Sequence, residues 1–262
     1  MTNAASDVTS AYRRVVECMG TVFSFDLRTP GVGSEAVEEA VRWLRWVDET
    51  FSTYRPDSQI SRLGRGECTV DDCATEVGEI LAEGSRLERE TAGFFSCRPG
   101  GDLDPSGLVK GWAIERASDI LVRAGSGAHC VNGGGDVQCA GDAAPGQPWR
   151  VGIAHPLQPG RFAAVVVVTG LAVATSGTAE RGHHVLDPHT GLPPGGPTGL
   201  ASVTAVGARL GRVDAYATAL FVMGADARDF AESTMGLEAF AVRADGSTWA
   251  TSGWGAGSSS VM

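Results

Sequence analysis

Asp214 and Thr218 stand four residues apart in the run from Val213 to Leu220. Apolar spacing there predicts a helix, which puts a carboxylate and a hydroxyl on one face. Hard oxygen donors of this kind suit magnesium, which keeps several waters and takes few protein carboxylates. The pair also reads as a helix cap beside a hydroxyl bonded to its own backbone. Upstream, Gly101 to Gly111 places Asp104, Ser106, Gly107 and Lys110 at the expected start of another helix. Exposed N–H groups and the positive dipole end favour an anion there, and Lys110 adds a point charge. The spacing G-x-x-x-x-G-K-[ST] is absent, so this is not a P-loop. An ordinary capped helix start is the competing reading.

Four further stretches carry usable groups. Asn132-Gly133-Gly134-Gly135-Asp136 has three glycines that let backbone approach a ligand or adopt positive φ, and it reads equally as a hairpin turn. Thr175-Ser176-Gly177-Thr178 supplies hydroxyls in what reads as a loop suited to phosphate oxygens. His183 to Gly191 holds three of the five histidines beside Asp187. A histidine next to a carboxylate can act as a general base, although packing or surface roles are equally open. Zinc spacing of the H-E-x-x-H kind is missing. Tyr54 can stack on a flat ring or seal the core at a helix exit.

These groups must be positioned by mixed elements. Val15 to Leu27 reads as one strand crossing Met19 and Gly20. Apolar residues at Val37, Ala40, Val41, Leu44, Val47 and Phe51 mark a helix over Glu35–Phe51, with Trp43 and Trp46 beside its stripe. Helices are expected over Val77–Thr91, Leu108–Ala124, Asp214–Met223 and Asp226–Met235. Strands are expected over Ala128–Asn132, Asp136–Ala140, Trp149–Ile153 and Phe162–Val168, the last reading as buried on both faces. A hairpin closes the order around Ala244-Asp245-Gly246. Helices and strands mix without strict alternation, so the class is α+β, with largely antiparallel sheets in one compact unit, for which a bilobed form is open. Residues 1–14 read as a mobile N-terminus, 15–252 as the working domain and 253–262 as a flexible tail.

Bulk properties narrow the function. Lys and Arg number 21 against 31 Asp and Glu, a net charge of −10, which argues against a general nucleic-acid binder. No apolar run approaches a membrane span and no export signal opens the chain, so a soluble cytoplasmic protein is expected. The six cysteines form no C-x-x-C pair and are expected as reduced thiols. Cys68 and Cys73 lack a second ligand pair at zinc spacing.

Taken in order, Met19-Gly20-Thr21, Ser52-Thr53-Tyr54-Arg55, Asp104 to Gly111, Asn132 to Asp136, Thr175-Ser176-Gly177, His184 to Gly191 and Asp214 to Gly224 resemble the ApbE-type FAD:protein FMN transferases. The resemblance implies an α+β fold gripping FAD in an extended cleft, with magnesium at the pyrophosphate. It implies Asp214, Thr218 and the Gly107 carbonyl as metal ligands. Met19, Tyr54, Phe94, Phe95, Ser96, Asp104 and Lys110 would contact the nucleotide, as would Val185 through its backbone. Gly134, Asp136 and Ser176 fall in matching motifs and are expected among the cofactor-binding residues. Two positions depart from the family pattern: Ser96 stands where aspartate is common, and His189 where arginine is frequent.

What this implies is magnesium-dependent transfer of FMN from FAD to a Thr or Ser hydroxyl of an acceptor flavoprotein, releasing AMP. His184 is the first candidate for the base and Asp214 the second, because a metal-bound carboxylate is a poorer base. An FAD pyrophosphatase, with water as nucleophile, fits the same residues. A non-catalytic FAD-binding protein has less use for metal ligands at the scissile bond, and a flavin oxidoreductase would cycle FAD rather than consume it.

Overall fold

The computed structural model describes residues 11–178, 185–194 and 199–254, with the backbone of 258–260. Strands β1 (Tyr12–Cys18) and β2 (Thr21–Leu27) lead to α1 (Ser34–Phe51), α2 (Gln59–Gly64), α3 (Thr75–Glu90) and α4 (Ser106–Arg123). Then come β3 (His129–Gly133), β4 (Asp136–Ala140), β5 (Trp149–Ala154), β6 (Phe162–Val168), β7 (Ala172–Gly177) and β8 (Leu200–Gly207). Helices α5 (Leu210–Met223) and α6 (Ala227–Ser233), then β9 (Glu238–Arg243), β10 (Thr248–Ala250) and β11 (Ser258–Ser260), complete the order. Pairing is antiparallel, in an eight-stranded sheet ordered β1-β2-β3-β4-β7-β8-β9-β10 and a three-stranded sheet ordered β11-β6-β5. The α+β expectation therefore holds.

The large sheet is covered on both faces, and the period of two sorts its residues. Ala172, Ala174, Val203, Ala205, Ala239 and Ala241 join the core under α4 and α5. Val173, Val206, Phe240 and Val242 face the small sheet, against Ile153, Ala164, Val166 and Val168. Small alanines on the helix side let α4 and α5 lie close to the strands. Trp43, beside the α1 stripe, donates its indole N–H to the Ala113 carbonyl at 3.1 Å and meets Trp112 edge-on at 5.0 Å, tying α1 to α4.

Several expectations need correction. Val15 to Leu27 is a hairpin, because Met19 (φ 51°) and Gly20 (φ 67°) both turn left-handed, the geometry of a two-residue hairpin turn. Methionine is an unusual residue for that conformation and hides the turn. The first strand starts at Tyr12, inside the segment read as a mobile N-terminus, because pairing runs on to Leu27. The tail read as flexible pairs through Ser258–Ser260 with β6. β6 itself alternates, burying Ala164, Val166 and Val168 while Phe162 is exposed; the strand buried along its whole length is β8, which composition did not reveal. Thr175, Ser176 and Gly177 lie within β7 rather than in a loop.

The cysteines are free thiols. Cys68 and Cys73 place their Sγ atoms 3.8 Å apart, and burial pushes the Cys97 thiol up to about 12. Among the described residues, no helix is long and apolar enough to cross a membrane.

Candidate active site

The start of α4 packs against the middle of α5, and the contact is made by glycines. A Cβ on Gly111 would lie 2.5 Å from the Leu210 carbonyl oxygen and 2.7 Å from the Asp214 Cβ. Without it, the Gly111 N–H reaches Asp214 Oδ2 at 2.9 Å. In an α-helix that N–H belongs to the carbonyl four residues earlier, which is Gly107. The Asp214 carboxylate thus draws on a donor of the α4 ladder. Gly107 also lies against Thr218, with its Cβ position 3.5 Å from Thr218 Oγ1.

Around this contact the polar groups converge. Lys110 Nζ lies 2.5 Å from Asp136 Oδ2 and 3.8 Å from Asp214 Oδ1. Asp136 is 1% exposed and its other oxygen accepts the Thr175 N–H at 3.0 Å, so this buried carboxylate holds the lysine from behind. Ser176 Oγ lies 3.4 Å from Thr218 Oγ1. Asp104 accepts the Ser106 N–H at 3.0 Å, closing the loop that opens α4.

Two cavities meet at these residues, sharing Ser106 and Lys110. One, of about 210 Å³, is lined by Phe94, Phe95, Ser96, Asp104, Gly107, Gly134, Ser176, Val185, Asp214 and Thr218, with β5 as one wall. The other, of about 450 Å³, is lined by Met19, Phe51, Ser52, Thr53 and Tyr54. Tyr54 is 96% exposed, so it does not seal the core. The turns Met19-Gly20 and Gly134-Gly135 abut, with Gly134 N–H donating to the Val22 carbonyl at 3.2 Å.

His189 lies next to Pro188 and Phe94, which line the first cavity. Its Nδ1 lies 3.2 Å from Asp187 Oδ1, its Nε2 lies 3.1 Å from the Ala92 carbonyl, and its ring meets Phe94 edge-on at 4.7 Å. Gly93, at φ 85°, leaves the space for it. The imidazole thus ties the 185–194 segment to the turn before Phe94.

Among the described residues, no group of three or more His, Cys, Asp or Glu side chains could hold a metal. Asp214, Thr218 and Gly107 all line the first cavity, so a carboxylate and a hydroxyl, hard oxygen donors, meet there.

The model of the ApbE family matches residues 19–100 and 96–241. This chain belongs to the ApbE family. The FAD:protein FMN transferase of Rhodobacter capsulatus is 35% identical over 234 residues, covering 86% of this chain and 41% of that protein. The chain therefore spans less than half the length of that relative. The FAD:protein FMN transferase of Vibrio cholerae is 26% identical over 267 residues, with 79% of each chain covered. The solved flavin transferase ApbE from Vibrio cholerae superposes with a TM-score of 0.81 at 23% identity, over 95% of this chain and 100% of that one. The apo flavinyl transferase ApbE of Pseudomonas stutzeri gives a TM-score of 0.80 at 26% identity, over 95% and 98%.

Within this ApbE chain the motifs named from sequence fall around one cleft, with two qualifications. Asp136 lies behind Lys110 and lines neither cavity. His184 lies outside the described residues. Sequence reasoning missed the β5 wall, Val151 to Ala154, and the contribution of Val47 and Asp48 from α1. A short apolar strand and a helix stripe look the same whether they face a core or a cavity. Only the exposed pattern at Arg150, Gly152 and Ala154 distinguishes β5, and that is a property of the fold.

Proposed function

We propose that this chain takes FAD as substrate and transfers its FMN half to a Thr or Ser hydroxyl of an acceptor protein, releasing AMP. The observation that carries the reading is the array of Lys110, Asp214, Thr218 and Ser176 at the junction of two cavities, where a dinucleotide lying through both would place its pyrophosphate. The relatives' names supply the activity class. Asp214, Thr218 and the Gly107 carbonyl would hold magnesium, which when bound neutralises and orients pyrophosphate charge. Asp214 is aimed by the Gly111 N–H, so its Oδ1 does not have to be ordered at the moment of reaction. Lys110, braced by Asp136, presents positive charge to the phosphates. Met19, Tyr54 and Phe94 offer apolar and aromatic surface to the flat rings. The acceptor oxygen attacks the FMN phosphorus, the pyrophosphate P–O bond breaks toward AMP, and the hydroxyl proton passes to His184 in this reading.

The test is mass spectrometry of nucleotides and proteins after incubation with FAD, with magnesium or with EDTA, alone and with host protein. The expected result is magnesium-dependent AMP release matched by a protein that gains FMN. Free FMN and AMP without an adduct would make the chain a pyrophosphatase, and intact FAD would make it a binder. His184→Ala is expected to slow transfer, and near-normal transfer would remove His184 from the reaction.

A further inference from the structure

β5 ends the small sheet, so one of its sides carries no strand. Among the described residues, the hydrogen bonds of its backbone run only to β6. Arg150, Gly152 and Ala154 are exposed along it. Gly152 has no side chain, so its exposure is exposure of backbone. A Cβ there would lie 2.6 Å from the Phe162 ring, so that ring packs over the bare backbone of Gly152. Phe162 itself is 60% exposed beside it. Proline and lysine, common protections of an open edge, are absent from Trp149–Ala154. The same strand is continuous with the reaction cavity: Val151, Gly152, Ile153 and Ala154 line it together with Lys110 and Asp214.

We propose that the outer edge of β5 is the docking strand for the acceptor protein, which adds an extended segment there and so delivers its Ser or Thr hydroxyl to the Lys110–Asp214 junction. The inference rests on the transferase reading of this site. The reach of the nucleophile supports it. A Ser or Thr oxygen is one bond from Cβ, so the acceptor's backbone must come to the cavity rim itself. A helix of roughly 10–12 Å diameter holds its backbone away from the rim behind its own side chains, whereas an extended chain does not. At that rim the N–H and C=O groups on the outer side of β5 have no strand partner among the described residues. Strand addition satisfies them without reference to sequence, while alternate side chains point into or away from the cavity. Phe162 gives an apolar side chain of the segment a surface to lie on.

The test uses the segment of the host protein that gains FMN, made as a synthetic peptide and N-methylated at one backbone position at a time. Each N-methyl group removes a donor and blocks strand approach while leaving the side chain unchanged. The expected result is a KM for the peptide that rises roughly tenfold at every second position around the hydroxyl and little at those between. Sensitivity without that period, or none at all, would overturn strand addition while leaving the transferase intact. So would a peptide that accepts no FMN when its folded parent does. If no host protein gains FMN and FAD stays whole, the transferase reading itself falls, a result distinct from both.

Discussion

Glu115 on α4 and Asp214 on α5 are both buried carboxylates, and each accepts an N–H from a glycine of the opposite helix. Glu115 takes that of Gly211 at 3.0 Å and Asp214 that of Gly111 at 2.9 Å. They part at the second oxygen. Glu115 Oε1 meets Arg209 at 2.5 Å, outside both cavities, and the helix start there is also capped by Gln138 accepting the Leu210 N–H at 3.0 Å. Asp214 Oδ1 instead faces Lys110 at 3.8 Å where the cavities join. One device thus fixes a helix start at one end of the pair and, at the other, aims the carboxylate that the proposed reaction uses. Burial and a backbone bond do not separate the two roles; where the remaining oxygen points does.

The largest effect should come from removing the charge at the reactive end. Asp214→Asn is expected to lower the rate of FMN incorporation by roughly a hundredfold or more while the thermal midpoint moves little. Near-normal transfer would make Asp214 a second structural carboxylate and erase the contrast.

Acid should weaken the structural end. His129 on β3 bonds Ser118 of α4 through Nε2 at 2.8 Å and Ser126 through Nδ1 at 3.0 Å, and burial lowers its pKa from 6.5 to about 4. The folded state therefore binds fewer protons than the unfolded state between those values. Its contribution is complete above pH 6.5 and is lost as pH falls toward about 4. Urea unfolding at pH 7 and pH 4.5 should differ by on the order of 3 kcal/mol from this group. His129→Gln should flatten that slope, and an unchanged slope would assign it elsewhere.

Gly111→Ala strikes both halves of the comparison, since its methyl would meet the Leu210 carbonyl and Asp214 together. We expect a loss of about 2 kcal/mol in denaturant midpoint analysis, with slower transfer. Gly211→Ala, whose Cβ would lie 3.3 Å from Trp112, should cost less and spare the rate. The smallest effect is expected for Glu115→Gln, which keeps an acceptor for Gly211 but loses the charge facing Arg209. About 1 kcal/mol of stability should go, with transfer unchanged. A fall in transfer as large as that of Asp214→Asn would show that the two ends are not separate.

What the sequence disclosed follows the same division. Asp214, Thr218, Lys110 and the glycine motifs were legible because their spacing on helices and turns is local. The partner of Lys110 was not, because Asp136 reaches it only after β4 pairs into the sheet. Continuous hydrophobicity misassigned β6 as the doubly buried strand, since Ala163 to Val168 is apolar throughout although only one face is covered fully. β8 carries Ser202 and Thr204 in its buried run and so hid its position. Composition reports what a face tolerates, and topology decides what covers it.

The bond between Gly111 and Asp214 joins residues 103 positions apart. Asp214 acquires its aim only when α4 and α5 have docked. A chain caught before that step has the residues proposed to ligate but no oriented oxygen, and should leave FAD whole rather than spill AMP. On the proposed mechanism, completion of the fold therefore acts as a licence for the reaction, withheld until both helices are in place.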